Sequence, residues 1–131
     1  MAPLFSLVRG EALALIMVAA LLQAVANLFL RSGVLVGGGL ILDSSFLLQL
    51  GRLATQPLFF VGVLFYVAAA LVWFAALSLE NVSTGYPILV GATFVLVALG
   101  GVILLHETIS LLKGIGMAVI IFGIALVAFG R

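Results

Sequence analysis

Residues 57–79 read PLFFVGVLFYVAAALVWFAALSL and contain no charged side chain. About 20 apolar residues are enough to cross the ~30 Å hydrocarbon core of a bilayer as a helix, so this stretch predicts a transmembrane span. Three more apolar runs, residues 10–30, 84–105 and 111–130, approach or exceed the same length. The sequence therefore predicts an all-α integral membrane protein, a single domain over residues 1–131 with four transmembrane helices.

The composition excludes most other classes of protein. The chain is 66% hydrophobic and 7% charged, which is too apolar for a soluble domain of this length. It has no cysteine, which excludes disulfides and thiolate metal sites, and the single histidine has no second one to form a metal pair. No phosphate-binding loop, nucleophile elbow or basic nucleic-acid patch is present. We therefore expect no enzyme, no metal or other cofactor and no nucleic-acid partner.

The charges lie at the ends of the apolar runs and are nearly balanced between the two membrane faces. Four spans place both termini and the 80–83 turn on one side. The basic residues on that side are Arg9 and Arg131. The basic residues on the other side are Arg31, Arg52 and Lys113. Two basic residues on one side against three on the other give almost no positive-inside bias. Either another feature fixes the orientation, or copies insert both ways and pair antiparallel.

Two amides interrupt the first span. Gln23 and Asn27 are four residues apart and share one helical face. Unpaired amides are costly in lipid, so this face is expected to point into the bundle, a cavity or a partner. Interhelical hydrogen bonding without a ligand would explain the pair equally well. In the second span, Tyr66 is deep enough to face a cavity, whereas Trp73 lies near the end and suits an interfacial anchor.

The long connection over residues 32–56 begins with three glycines at 37–39. Residues 43–45, Asp-Ser-Ser, are suited to cap a short helix whose Gln49 and Arg52 would face water. The pattern favours an amphipathic helix at the membrane interface. The alternative is a loop at the membrane surface without a role in lipid binding.

The turn between the second and third spans is tight, and Asn81 lies within it. Pro87 follows in or just past the first turn of the third helix, where it is expected to bend the helix next to Tyr86. At the other end of this helix, the pair Gly100-Gly101 is expected to loosen it. Asn81 and Pro87 are thus assigned structural roles, and Tyr86 is a candidate for binding.

The last turn contains His106 and Glu107, and Ser110 is positioned to cap the fourth helix. Glu107 can pair with Lys113 or with Arg31, which lie on the same side of the membrane. Turn architecture alone would also explain His106 and Glu107.

Glycines recur every seven residues in the fourth span, at Gly116, Gly123 and Gly130. Such a strip lets another backbone approach closely. It can pack within the chain, but four small helices enclose little volume. We therefore favour a dimer contact, with an identical copy or with a similar small subunit.

Three segments carry a family resemblance: LENVSTGYP at 79–87, HETIS at 106–110 and GMAVIIFG at 116–123. Their order and spacing resemble the small four-helix branch of the drug/metabolite transporter superfamily, which includes small multidrug resistance and EamA-like proteins. The resemblance covers nearly the whole chain except 32–56. The last segment is similar to the helix-four dimerisation strip of small multidrug transporters.

The departures from small multidrug transporters are informative. Their helix-one glutamate, which binds protons and substrate, falls on Gln23, and their helix-three tryptophan falls on Leu89. An amide cannot release a proton, so proton-coupled drug export in the usual form is not expected. The chain is most similar to flippase subunits for aminoarabinose-phosphoundecaprenol, which share the Asn-Val…Gly…Tyr-Pro and His-Glu-x-x-Ser turns and carry an amide near Asn27. This resemblance implies translocation of a lipid-linked sugar across a bacterial inner membrane by a multi-pass protein.

The leading hypothesis is therefore a dimeric flippase for a polyprenyl-phosphate-linked glycan, without proton coupling through a helix-one carboxylate. The residues expected to hydrogen-bond the sugar are Gln23, Asn27, Tyr66 and Tyr86. The residues expected to attract the phosphate are Arg31, Arg52 and Lys113. A second hypothesis is a multidrug or metabolite transporter of the same fold that uses Glu11 or Glu107. A third is an accessory membrane subunit that transports nothing.

Overall fold

The computed structural model describes residues 2–130, with side chains from residue 10 onward, and is all-helical over that range. The helices are α1 (Ala2–Val36), α2 (Phe46–Ala54), α3 (Pro57–Leu77), α4 (Val82–Leu104) and α5 (Leu111–Phe129). Two cations from the charge comparison, the side chain of Arg9 and all of Arg131, lie outside the described residues.

Four of these helices are long and apolar enough to cross a membrane. The spans are Gly10–Val36, Pro57–Leu77, Val82–Leu104 and Leu111–Phe129, and each contains an 18-residue stretch with a mean hydropathy of 2.4. The prediction of an all-α protein with four membrane-spanning helices is thus confirmed.

The first span continues past residue 30, where the sequence had suggested an end. Arg31 does not end α1, because a cation near the interface is compatible with a continuing helix. The helix ends at Val36, and both Gly38 and Gly39 have φ of +86°. This left-handed conformation is readily available only to glycine and commonly ends helices.

The short helix α2 forms within the connection as the sequence predicts, but its start differs from the expected cap. Ser45 is the N-cap residue and makes no side-chain capping bond. Its hydroxyl and backbone N–H instead donate to Asp43 Oδ1 at 2.6 Å and 2.8 Å. These two hydrogen bonds, the hydroxyl first, hold the pKa of Asp43 below its ordinary value.

The amide of Gln49 belongs to the same cluster. It donates to Asp43 Oδ1 at 3.1 Å and to Ser45 Oγ at 2.6 Å, and it accepts the backbone N–H of Ile41 at 2.7 Å. Gln49 is therefore half-buried and turned toward the connection, so the prediction that it faces water was wrong. Arg52 is exposed as predicted.

Helix α1 is the centre of the bundle and packs against both α3 and α4. Its buried face consists mostly of alanine, which lets neighbouring helices approach closely. The buried apolar residues of α1 are Ala12, Ile16, Ala19, Ala20, Ala24 and Ala26.

The contact between α1 and α3 is close enough to involve backbone atoms. A Cβ added at Gly33 of α1 would lie 2.6 Å from the backbone nitrogen of Phe59, and one added at Gly62 of α3 would lie 2.9 Å from the backbone nitrogen of Leu30. These two glycines are therefore required by the packing of the helices.

Helix α4 is continuous from Val82 through Pro87 to Leu104. The prediction that Gly100 and Gly101 loosen its end was wrong, because both positions are helical and tightly packed. A Cβ at Gly100 would lie 2.6 Å from the side chain of Leu28, and one at Gly101 would lie 2.9 Å from Glu107 Oε2. The two glycines make room for side chains from elsewhere.

The turn from α4 to α5 has a defined geometry. His106 adopts φ of +52°, a left-handed conformation unusual for a non-glycine residue. The backbone N–H of Glu107 then donates to the carbonyl of Gly101 at 3.0 Å. Ser110 caps α5 by accepting the backbone N–H of Lys113 at 3.3 Å, as the sequence predicts.

Helix α5 packs on α4, yet it contains no buried residue. A Cβ added at Gly116 or Gly123 would meet no atom within 4 Å, so this face is open. Gly130 is the C-cap residue, and a Cβ there would lie 2.8 Å from the carbonyl oxygen of Leu126 in its own helix. The open strip is therefore formed by Gly116 and Gly123.

Candidate functional site

A hydrogen-bonded polar group lies in the middle of the bundle. Gln23 lies between the charged residues Glu11 and Arg31 of α1, about 18 Å from the first and about 12 Å from the second at 1.5 Å per residue. Its Nε2 donates to Tyr66 Oη of α3 at 3.1 Å, and its Oε1 accepts from Thr93 Oγ1 of α4 at 3.3 Å. The amide therefore bridges three helices at the depth where water is least available to satisfy it.

Polar residues continue along α1 from this bridge toward its C-terminal end. Gln23, Asn27 and Arg31 follow at intervals of four, which places them on one face. The amide of Asn27 donates to the backbone carbonyl of Gln23 at 2.9 Å. This polar stripe runs from the middle of the membrane to the end that carries α2.

A small cavity, hereafter the inner pocket, lies on the N-terminal side of the bridge and has a volume of about 150 Å³. The indole of Trp73 and the ring of Tyr86 lie 6.1 Å apart, centroid to centroid, and are tilted by 54°. No charged residue is in its lining. The lining residues are Ala19, Gln23, Tyr66, Ala69, Ala70, Trp73, Tyr86 and Leu89.

A larger cavity, hereafter the outer cavity, lies between α1 and α4 and has a volume of about 410 Å³. It is apolar except for Asn27, Arg31 and Glu107. The remaining lining residues are Leu28, Leu30, Val34, Val97, Gly101 and Leu105.

An ion pair lies at the outer cavity. Arg31 Nε donates to Glu107 Oε1 at 3.2 Å, with side-chain exposures of 54% and 38%. The lack of a side chain at Gly101 leaves room for this carboxylate against α4. The sequence had left the partner of Glu107 open between Arg31 and Lys113, and the structure pairs it with Arg31.

The two cavities lie end to end along the same side of α1. The inner pocket uses α1 residues 19 and 23, and the outer cavity uses residues 27–34. On α4 the corresponding residues are 86 and 89, then 97 and 101, with Thr93 between them. The Gln23–Thr93 hydrogen bond therefore separates the two spaces.

The candidate binding residues divide between these spaces. Gln23, Tyr66 and Tyr86 come together at the inner pocket, while Asn27 and Arg31 line the outer cavity. Lys113 is exposed on the first turn of α5 and lines neither cavity.

Two residues of the site were not expected from the sequence. Trp73 was interpreted as an interfacial anchor, but it lines the inner pocket. Thr93 was not singled out, although it is a hydroxyl residue near the middle of an apolar span and only 9% exposed. A buried hydroxyl in such a span is a signal for an interhelical partner.

The arrangement combines hydrogen-bonding groups, aromatic faces and one ion pair. Among the residues that the structure describes, no group of three histidine, cysteine, aspartate or glutamate side chains could hold a metal ion. Comparisons of the chain with protein-family models, curated proteins and solved structures find no match.

Proposed function

We propose that this protein is a membrane flippase for a lipid with an anionic, sugar-bearing head group, most similar in kind to polyprenyl-phosphate-linked glycans. The observation that carries the proposal is the polar stripe Gln23–Asn27–Arg31, which follows two cavities from mid-membrane to one interface. A lipid tail can remain in the bilayer during translocation. The protein then needs to provide polar contacts only for the head group, and a stripe between helices does so.

The outer cavity supports binding of the anionic group. Arg31 presents a guanidinium there, and guanidinium groups bind phosphate through charge-assisted hydrogen bonds. Glu107 pairs with that guanidinium at 3.2 Å, so an incoming phosphate would compete with the carboxylate. The exposed Arg52 and Lys113 lie on the same side of the membrane and add positive charge near the entrance.

The chain offers little for proton coupling at mid-membrane. The acid in the span Gly10–Val36 is Glu11, which is exposed near its first residue. Gln23 lies in the interior of this span and has no titratable proton in the physiological range. Transport would therefore follow the concentration gradient of the lipid.

We further propose that the working unit is a dimer in the bacterial inner membrane. Gly116 and Gly123 on α5 have no atom of this chain against their faces, and small residues let a second backbone approach closely. An antiparallel pair would present the basic cluster at both membrane faces and give a symmetric path. The partner can be an identical chain or a similar small subunit.

The flippase proposal is tested by reconstitution into liposomes with a fluorescent short-chain polyprenyl-phosphate glucose. A membrane-impermeant quencher reports the fraction of probe in each leaflet over time. We expect Asn27→Leu and Arg31→Gln to slow equilibration at least tenfold, since each removes a polar contact along the stripe. Arg52→Gln removes a cation that lies outside both cavities, so it is expected to slow equilibration less than Arg31→Gln. Equal rates for all three variants would contradict the proposal.

A second function is favoured by Glu107, which lines the outer cavity, whereas Glu11 is exposed. A carboxylate at a cavity can bind a cationic metabolite, or it can bind the proton that drives transport of a metabolite. This alternative predicts uptake of a soluble substrate that depends on a pH gradient and is abolished by Glu107→Gln. Lipid equilibration that persists without a pH gradient supports the flippase instead.

The dimer is tested by cysteine cross-linking in membranes, because the natural chain has no cysteine. We expect Gly123→Cys to form an intermolecular disulfide rapidly under mild oxidation. Leu71→Cys is the control, since Leu71 on α3 is 62% exposed and lies away from the glycine strip. Equal cross-linking at both positions would mean random collision and would contradict the α5 contact.

A further inference from the structure

The inner pocket has properties that the flippase proposal does not explain. It lies beyond the Gln23 bridge, on the opposite side from Arg31, and its lining contains an amide, three aromatic rings and no charge. From these properties we infer that the inner pocket is a binding site for one uncharged sugar ring, bounded by Gln23. The inference rests on the proposed function, because it specifies the part of the head group that lies deepest in the bundle.

The size of the inner pocket limits the ligand to a single ring. A protein cavity of roughly 150 Å³ holds benzene, so the inner pocket, with about 150 Å³, admits one six-membered ring whose hydroxyls extend toward the exposed side at Tyr66 and Tyr86. A second linked ring would therefore remain in the outer cavity, which is more than twice as large at about 410 Å³.

The aromatic residues favour a sugar over a purely apolar ring. The C–H face of a pyranose packs against an aromatic face, and ring hydroxyls accept or donate hydrogen bonds at the edges. Trp73 and Tyr86 provide tilted faces 6.1 Å apart. The amide of Gln23 and the hydroxyl of Tyr66 provide donors and acceptors at the same pocket.

The absence of charge in the lining excludes a cationic amino sugar as the preferred ligand. A protonated amine in low dielectric is stabilised best by a carboxylate, and cation–π contacts with the aromatic rings are weaker than the desolvation penalty of the ammonium. Glu80 is not among the lining residues; it packs near Gly85, and its Oε1 accepts the backbone N–H of Asn81 at 3.2 Å. The pocket is thus suited to a neutral ring.

Gln23 bounds the inner pocket on the side of the outer cavity, where it binds both neighbouring helices. A ring that passes from the outer cavity must replace the bonds to Tyr66 and Thr93 with its own hydroxyls. A sugar can make this exchange without leaving a polar group unpaired, whereas a hydrocarbon cannot. The Gln23 bridge therefore favours groups that carry hydroxyls.

The experiment uses Trp73, which is the single tryptophan of the chain. The full-length protein is placed in phosphatidylcholine nanodiscs and titrated with monoglucosyl diacylglycerol, which has one neutral ring and no phosphate. We expect a saturable change in Trp73 emission. Diacylglycerol without sugar and glucosaminyl diacylglycerol are expected to bind roughly tenfold or more weakly, the loss that corresponds to about 1.4 kcal/mol of missing contacts.

Variants connect the signal to the pocket. Gln23→Leu is expected to weaken the response to the neutral sugar about tenfold. It removes one hydrogen bond to the sugar, and it removes the bonds to Tyr66 and Thr93 that sugar hydroxyls would replace. Gln23→Glu serves as the second variant if Gln23→Leu fails to fold, and it is expected to reverse the preference toward the glucosamine lipid. Glu80→Gln is expected to leave both titrations unchanged.

The double variant Trp73→Phe/Phe74→Trp moves the reporter to a neighbouring position that is 61% exposed to lipid. Its emission is expected not to respond. A response from this variant, or equal binding of glucosamine and glucose lipids by the natural chain, would overturn the inference.

The result is independent of transport. A saturable Trp73 signal without lipid equilibration would overturn the flippase and retain the sugar site. Equilibration of the phosphate-linked probe without any Trp73 response would retain the flippase and overturn the site.

Discussion

Helices α1 and α5 look alike in hydropathy but have opposite positions in the bundle. Each contains an 18-residue stretch with a mean hydropathy of 2.4, yet 28% of that stretch is buried in α1 and none of it is buried in α5. Helix α1 is flanked by α3 and α4, whereas α5 packs on α4 at the edge. Hydropathy thus reports that a segment enters the membrane, and the small and polar residues on each face decide what it packs against.

Glycine substitution gives the largest expected difference between the two helices. Gly33→Ala in α1 places a Cβ 2.6 Å from the backbone of Phe59, and overpacking against backbone costs roughly 1–3 kcal/mol. Gly123→Ala in α5 meets no atom of its own chain within 4 Å, so in the dissociated monomer it should cost less than about 0.5 kcal/mol of unfolding free energy. Unfolding in sodium dodecyl sulfate measures both.

The same experiment can also show that the packing of α1 and α5 does not differ in this way. If Gly123→Ala destabilises the protein as much as Gly33→Ala, the open face of α5 is covered in the assembled protein. If neither variant matters, the contact between α1 and α3 is looser than the 2.6 Å distance requires.

The polar bridge of α1 gives the next largest effect, because α5 has no equivalent. Thr93→Val removes the hydroxyl that donates to Gln23 at 3.3 Å, and interhelical hydrogen bonds in membranes contribute roughly 0.6–1.7 kcal/mol. We expect a loss of about 1 kcal/mol in the free energy of unfolding. Thr84→Val, near the start of the same helix, is the matched control. Equal losses would show that the effect reflects helix propensity.

The Arg31–Glu107 pair couples the end of α1 to the turn that leads into α5. Both groups are more than a third exposed, and exposed pairs contribute about 0.2–1 kcal/mol. A double-mutant cycle with Arg31→Gln and Glu107→Gln should give a coupling energy near 0.5 kcal/mol that falls as salt increases. Zero coupling at low salt would mean that the turn holds its position without the pair.

The smallest effect concerns the connection from α1 to α3, which is much longer than the one before α5. The lowered pKa of Asp43 means that its contribution to stability is complete above its ordinary pKa of 3.8 and is lost as pH falls through the lowered value. Ser45→Ala should return this pKa toward its ordinary value, as measured by carboxyl carbon chemical shift. Ser44→Ala should not, and equal shifts would exclude the Ser45 hydroxyl as the cause.

The sequence predicted the features that depend on local spacing. Apolar length gave the four spans, and the four-residue interval gave the shared face of Gln23 and Asn27. It could not give packing partners. The glycines at Gly33 and Gly62 follow no repeat, yet they lie at the tight contact, while the regular strip in α5 faces open space.

The remaining misses have similar causes. Trp73 matched the rule for interfacial anchors because only its distance from the span end was visible, and its contact with Tyr86 depends on how α3 and α4 pack. The first span was judged to end at a cation, although helices continue past a cation at the interface. Both errors arise from treating each span alone.

Span length has a consequence for the kind of bilayer that this protein fits. At 1.5 Å per residue, the 27 residues of Gly10–Val36 extend about 40 Å, and the 19 residues of Leu111–Phe129 extend about 28 Å. A hydrocarbon core of ~30 Å matches α5 upright, but α1 must tilt or project from it. Thickening the bilayer would let α1 stand more upright while leaving α5 too short. Membrane thickness is therefore a mechanical variable that acts on the angle between the central helix and the edge helix.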